Sequence, residues 1–114
     1  MKWLVSPAPK RLDLLAARLE ARSLQVERTE VPTAGLLLVV TGEGDAWAAV
    51  ECRRTVGDWV TIDGWDEIVL PIIAGLLALA GSQLELMTDT GGHVPLTPEM
   101  SDEELTAAMD TAAS

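Results

Sequence analysis

The sequence has few aromatic and few reactive side chains. It contains no phenylalanine and no tyrosine, and its aromatic residues are four tryptophans. A core without those two residues must be built mainly from aliphatic side chains, so a tryptophan on the surface would stand out. The one cysteine, Cys52, cannot form an internal disulfide, which favours a reducing compartment. We therefore expect a cytoplasmic protein.

The scarcity of histidine and cysteine excludes most catalytic and zinc-binding arrangements. A Ser-His-Asp or Cys-His arrangement would have to use the single histidine, His93, with Asp89 as a nearby acid. Structural zinc needs about four nitrogen or sulfur ligands. Cys52 precedes two arginines that would favour its thiolate, but its alternating apolar position indicates a small core residue. The sequence thus predicts no catalytic residue, no metal site and no cofactor.

No segment is long and apolar enough to cross a bilayer. The longest apolar run, residues 68–80, is shorter than the roughly 20 residues that a membrane helix needs. The first residues, Met1 to Pro9, lack the continuous apolar stretch of a secretory signal. We expect the apolar run to form a buried helix and the protein to have no membrane partner.

Basic residues are absent from the second half of the chain. Residues 1–54 contain all eight bases together with seven acids, whereas residues 55–114 contain eleven acids and no lysine or arginine. Because the formal net charge is −10, part of the surface must carry a negative potential. This charge disfavours direct binding of nucleic acid through its phosphates and favours a basic partner.

The 114 residues have the length and composition of one folded domain spanning residues 1–114. Leucines recur at three- and four-residue spacing in residues 9–23 and predict an amphipathic helix. Residues 66–80 predict a central buried helix, with acids at its start and Gly81 after its end. The last helix has two candidate starts: Thr97 followed by Pro98, and a capping-box pattern that begins at Ser101.

Alternating and short apolar segments predict the strands. They lie at residues 2–6, 24–31, 36–40, 46–53, 59–62, 83–88 and 93–96. The alanines of residues 46–49 leave a helix open as an alternative there. The order of elements indicates an α+β fold with a mainly antiparallel sheet, packed on the N-terminal helix and the buried central helix. A short acidic helix is expected at the C-terminus, frayed after Asp110.

One segment combines tryptophan with acids in a way that fits protein recognition. Residues 57–67 place Trp59 and Trp65 among four acids. Burial of a large ring supplies affinity, and carboxylates steer and orient a basic surface. The alternative is that both rings belong to the core. The predicted partner-binding residues are Asp58, Trp59, Asp63, Trp65, Asp66, Glu67, Asp102, Glu103 and Glu104.

Two functional classes follow from these features. The first is a small acidic inhibitor, such as an immunity protein or a phage inhibitor, that occludes a basic toxin or a nucleic-acid-binding protein. The second is a self-associating accessory or structural subunit without catalytic activity, which would form a symmetric oligomer through residues 68–79 and exposed tryptophans. Calcium binding is a further hypothesis, because four acids are close in sequence and carboxylates are calcium ligands: Asp58, Asp63, Asp66 and Glu67. They lack the EF-hand pattern, which argues against a calcium site.

Overall fold

The fold is an antiparallel sheet with helices on one face, and the computed structural model describes residues 2–9, 11–31, 35–53 and 59–113. The strands in these residues are β1 (Lys2–Ser6), β2 (Gln25–Val31), β3 (Gly35–Thr41), β4 (Trp47–Arg53), β5 (Trp59–Gly64), β6 (Leu84–Thr88) and β7 (His93–Leu96). The helices are α1 (Asp13–Glu20), α2 (Asp66–Ala80) and α3 (Asp102–Ala113). This confirms the predicted α+β class with an antiparallel sheet.

The seven strands have the order β2-β3-β4-β5-β1-β6-β7. Strands β2 to β5 form a meander in which each strand pairs with the next. The strand β1 then inserts between β5 and β6, with Val5 opposite Val60 on one side and Leu86 on the other. The predicted meander is present, and β2 and β7 are the edge strands of the sheet.

The register places the apolar residues of the inner strands on one face. Val50 lies opposite both Leu38 and Ile62, and Val5 continues the same face on β1. All four side chains are fully buried. Because a strand alternates its side chains between two faces, the other face carries the intermediate and exposed positions. The alanine-containing segment of β4 is a strand, with Ala48 buried and Trp47 exposed.

Helix α2 fills the space above the buried face of the sheet. Seven of its residues are buried: Ile68, Val69, Ile72, Ile73, Gly75, Leu76 and Leu77. Pro71 lies in its second turn, and Gly81 ends the helix in a left-handed conformation. Helix α1 packs on α2 and β2, and α3 packs on α2, β6 and β7. None of the helices in the described ranges has the length and apolar character needed to cross a membrane.

Helix α1 is shorter than the predicted helix over residues 9–23. The chain enters it through tight turns in which the N–H groups of Leu14 and Leu15 donate to carbonyls three residues earlier. At its end Ser23 adopts a positive φ of 65°, and the N–H of Leu24 donates to the carbonyl of Leu19 at 3.3 Å. This left-handed residue ends the helix and turns the chain into β2. Leucine spacing alone carries no information about these ends.

Helix α3 uses the second of its two candidate starts. The N–H of Glu104 donates to Ser101 Oγ at 3.2 Å, and the N–H of Ser101 donates to Glu104 Oε1 at 3.3 Å. These are the two reciprocal bonds of a capping box. Thr97 instead begins a turn that is closed by the N–H of Met100. The helix continues to Ala113 rather than fraying after Asp110, because Ala112 is buried.

Candidate functional site

Two tryptophans are exposed at one end of the sheet. In the described residues Trp47 is 44% exposed and Trp65 is 52% exposed, whereas Trp3 is almost completely buried. Trp47 begins β4, and Trp65 directly follows β5 and precedes α2. Large apolar rings that remain on a surface are the residues most often used as anchors in protein interfaces. Two exposed tryptophans are therefore available for the predicted recognition of a protein partner. One of them, Trp47, was not among the predicted site residues.

The backbone holds these two tryptophans next to each other. The last pair of the β4 and β5 ladder is Ala48 with Gly64. One position further, the N–H of Trp65 donates to the carbonyl oxygen of Trp47 at 3.0 Å. The N–H groups of Ile68 and Val69 in turn donate to the carbonyl of Trp65, both at 2.9 Å. The position of Trp65 is thus fixed by the sheet on one side and by the start of α2 on the other.

Four exposed carboxylates accompany the two rings. Asp45 lies two residues before Trp47, and Asp63, Asp66 and Glu67 flank Trp65. We call these six residues the tryptophan–carboxylate patch. No ion pair joins any of its four carboxylates to a base in the described part of the chain. The nearest base in the strand register is Lys2, which lies opposite Asp63. The patch combines apolar rings with unneutralised negative charge.

A shallow groove continues from the patch between two helices. It has a volume of about 160 Å³ and lies between Asp66, Glu67 and Leu70 of α2 and Thr106, Met109 and Asp110 of α3. Its lining combines apolar side chains with carboxylates. A lysine or arginine side chain, which is apolar along its stem and charged at its tip, matches this combination.

Trp59, the other predicted tryptophan, lies away from the patch. It begins β5 and is partly buried, whereas Trp65 follows the end of the same strand. Six residues of extended chain separate the two tryptophans by roughly 20 Å. A single small anchor region cannot contain both. The residue that lies beside Trp65 is Trp47, because the pairing of β4 with β5 brings their backbones together. Asp58, another predicted site residue, lies outside the described residues.

The predicted acids of the C-terminal helix have contacts of their own. Asp102 Oδ2 accepts from Arg22 Nη2 at 3.1 Å and forms an exposed ion pair. Glu104 is engaged in the capping box, and Glu103 is exposed. The groove beside the patch is lined by later residues of α3, so the structure does not bring these three acids into it. Their role in partner binding stays a prediction.

The single histidine, His93, lies beside Glu85, whereas the sequence had suggested Asp89 as its neighbouring acid. His93 Nε2 lies 2.9 Å from Glu85 Oε2, at ion-pair distance, although this oxygen has no hydrogen bond of good geometry. Both residues are on the last two strands, with Glu85 opposite Pro95. Cys52 is buried among the apolar residues of the sheet. Within the described ranges, no group of three His, Cys, Asp or Glu side chains is placed to hold a metal ion.

The apolar helix that was predicted to mediate self-association is packed in the core of the molecule. Ile68, Ile72, Ile73 and Leu76 of α2 are all buried in the core of the chain itself. Of the two features on which the self-association hypothesis was based, the structure leaves only the exposed tryptophans at the surface.

Comparison with known proteins gives no family for this chain. No protein-family model matches the sequence, and no curated protein matches it.

Proposed function

We propose that this chain is a small acidic inhibitor that binds a basic protein and covers its functional surface. The partner is a toxin or a nucleic-acid-binding protein of the kind that an immunity protein or a phage inhibitor neutralises. The observation that supports this proposal is the tryptophan–carboxylate patch, in which the exposed Trp47 and Trp65 are joined by a backbone hydrogen bond and have four exposed carboxylates within two residues of them in the chain.

The two parts of the patch supply different contributions to binding. Burial of the rings removes apolar surface from water and provides most of the affinity. The carboxylates accept hydrogen bonds from lysine and arginine side chains, and they occupy the positions where phosphates would otherwise bind. The net charge of −10 accelerates the encounter with a basic surface, and this acceleration falls as salt screens the charge. Inhibition then results from occlusion and requires no chemical step.

A binding experiment with matched variants tests the proposal. The tagged protein is used to capture partners from a lysate of its source cell at about 0.1 M salt, where the Debye length is about 10 Å. Rising salt elutes the partner for identification by mass spectrometry. The purified partner is then assayed for nuclease, toxin or nucleic-acid-binding activity with and without this protein. We expect one basic protein whose activity is lost at a one-to-one ratio.

Two patch variants and one control separate position from total charge. D63N/D66N/E67Q and W47A/W65A are both expected to lose the partner while retaining the circular dichroism of the folded protein. The control E20Q/E27Q/E99Q removes the same number of charges from exposed sites elsewhere and is expected to bind and inhibit. Full inhibition by both patch variants, or recovery of the bait alone, would contradict the proposal.

A further inference from the structure

Among the described strands, β2 forms the longer of the two edges of the sheet. β2 (Gln25–Val31) pairs with β3 on one side and is the end strand of the sheet, whereas the other edge strand, β7, has only four residues. The N–H and C=O groups on the outer side of an edge strand can pair with a further strand. The edge of β2 can therefore accept a further strand, independently of the proposed function.

A second copy of β2 can pair with the first only in certain registers. In an antiparallel pair, residues whose N–H and C=O groups point outward must face residues that also point outward. Because outward and inward positions alternate along β2, a symmetric pair must have one residue of the strand opposite its own copy. The central choices are Glu27, Arg28 and Thr29. All of them extend the sheet with both sets of helices on the same side.

The charges on β2 distinguish between these three registers. Centring on Glu27 or Arg28 places two identical charges directly opposite each other, which is destabilising. Centring on Thr29 places Thr29 opposite Thr29 and brings Arg28 of each copy opposite Glu30 of the other. It thereby creates two symmetric opposite-charge pairs and a threonine pair, both favourable cross-strand combinations. Arg28 and Glu30 are exposed, and neither forms an ion pair with another described residue.

We propose that the edge of β2 is a docking surface for a second copy of this chain, paired antiparallel about Thr29. The dimer contains one sheet that continues across both copies, with residues 27–31 of each strand in the new ladder. Charge complementarity selects the partner and its register, since this arrangement places each Arg28 opposite Glu30 of the other copy. The tryptophan–carboxylate patch plays no part in the contact.

Engineered cysteines test the register directly. Residues opposite each other in an antiparallel pair have Cα atoms about 4.5 or 5.5 Å apart, within the range that a disulfide spans. We expect T29C to form a disulfide-linked dimer under mild oxidation. The control E27C lies on the same exposed face, but its copy would be more than about 13 Å away along the strands, so it should remain unlinked. The wild-type protein, whose Cys52 is buried, gives the background.

Charge exchange tests the two ion pairs by analytical ultracentrifugation. We expect E30R and R28E each to weaken dimerisation about tenfold or more, because both pairs become repulsive. An equimolar mixture of the two variants should form a heterodimer, since every arginine then faces a glutamate. Arg28 also lowers the pKa of Asp13, after the larger effect of the hydrogen bond from Arg11. Denaturation of each variant therefore checks that its monomer remains folded.

The proposal fails on either of two results. One is a wild-type protein that stays monomeric at about 0.5 mM and about 0.15 M salt, where the Debye length is about 8 Å, with no cross-linking of T29C. The other is equal cross-linking of T29C and E27C, which would show contact without the predicted register. Selective cross-linking of T29C, together with a heterodimer of E30R and R28E, would establish it.

Discussion

Gly64 fixes the geometry of the patch at the scale of a single residue. Its φ of 152° lies outside the range that residues with a side chain adopt readily. A Cβ atom at this position would also meet the carbonyl oxygen of Trp47, the acceptor of the hydrogen bond from Trp65. The close approach of the two tryptophan backbones therefore requires glycine here.

Replacement of this glycine should destabilise the fold more than replacement of an unhindered one. Gly44 has a φ of 66°, and a Cβ atom there would have no described atom within 4 Å. We expect G44A to lower the free energy of unfolding by about 1–2 kcal/mol, the cost of the left-handed conformation alone. G64A should cost more, because the clash is added. Urea denaturation of both variants measures the difference, and equal losses would show that the contact at Gly64 relaxes freely.

The residues of the patch could be predicted from the sequence only in part. Four of its residues are neighbours in the chain and can be grouped from the sequence alone: Asp63, Trp65, Asp66 and Glu67. Trp47 is 18 positions before Trp65, and its proximity depends on the pairing of β4 with β5. The sequence does indicate that Trp47 is exposed. Side chains alternate between the two faces of a strand, so Trp47 faces solvent if Ala46 and Ala48 face the core.

At the scale of elements, α1 shows how two identical residues side by side differ in their contribution. Leu15 is fully buried and packs close to Gly75 of α2, whereas its neighbour Leu14 is 40% exposed. Removing a buried leucine side chain loses both its transfer free energy and its packing contacts. The attachment of α1 to the rest of the molecule therefore depends on Leu15 and, one turn later, on Leu19.

This difference leads to a measurable prediction for α1. L15A should lower the free energy of unfolding by about 2–5 kcal/mol, within the range for buried leucines. L14A should change it by about 0.5 kcal/mol or less, as an exposed substitution does. Chemical denaturation of the two variants in parallel provides the check. Similar losses for both would mean that α1 is packed through a different face.

The capping box of α3 supports a second prediction at this scale. Ser101 Oγ is the acceptor for the N–H of Glu104, and alanine cannot replace it. S101A should lower the free energy of unfolding by about 1 kcal/mol. The control S82A changes an exposed serine outside the helices and should have almost no effect. A stability of S101A equal to that of wild type would show that solvent caps this helix equally well.

The elements differ in how far the sequence determines them. Strands β2 to β5 follow one another as a meander, because each pairs with its neighbour in the chain and alternation is a local pattern. The position of β1 was not predictable in this way, since its partners lie in the second half of the chain. The predicted bounds of α1 were too wide because hydrogen-bonded turns precede Asp13 and follow Glu20, and leucine spacing does not distinguish such turns from helix.

At the scale of the whole molecule, the excess of negative charge opposes the compact state. The chain carries 18 acids and 8 bases, and like charges repel more strongly when they are brought together by folding. The ion pairs between described residues include Arg11 with Asp13 and Arg22 with Asp102, and both are exposed. Such exposed pairs contribute little to stability, typically less than about 1 kcal/mol each.

Screening this repulsion should stabilise the protein. Raising sodium chloride from about 0.02 M to about 0.3 M shortens the Debye length from more than 20 Å to less than 6 Å. We expect the thermal midpoint to rise, with about 4 °C for each kcal/mol gained. Most of the rise should occur below about 0.15 M, where screening changes fastest. A midpoint that falls with salt would show that favourable ion pairs outweigh the net repulsion.

The position of β1 inside the sheet has a consequence for synthesis on the ribosome. Of the seven described strands, β1 is made first and is also a central one, because Val5 pairs with both Val60 and Leu86. At about 5 to 20 residues per second, several seconds of translation separate β1 from its second partner. During this interval the β2–β4 meander can form, whereas Trp3 and Val5 remain uncovered. A translational pause before residue 84 would prolong this exposure to chaperones and proteases.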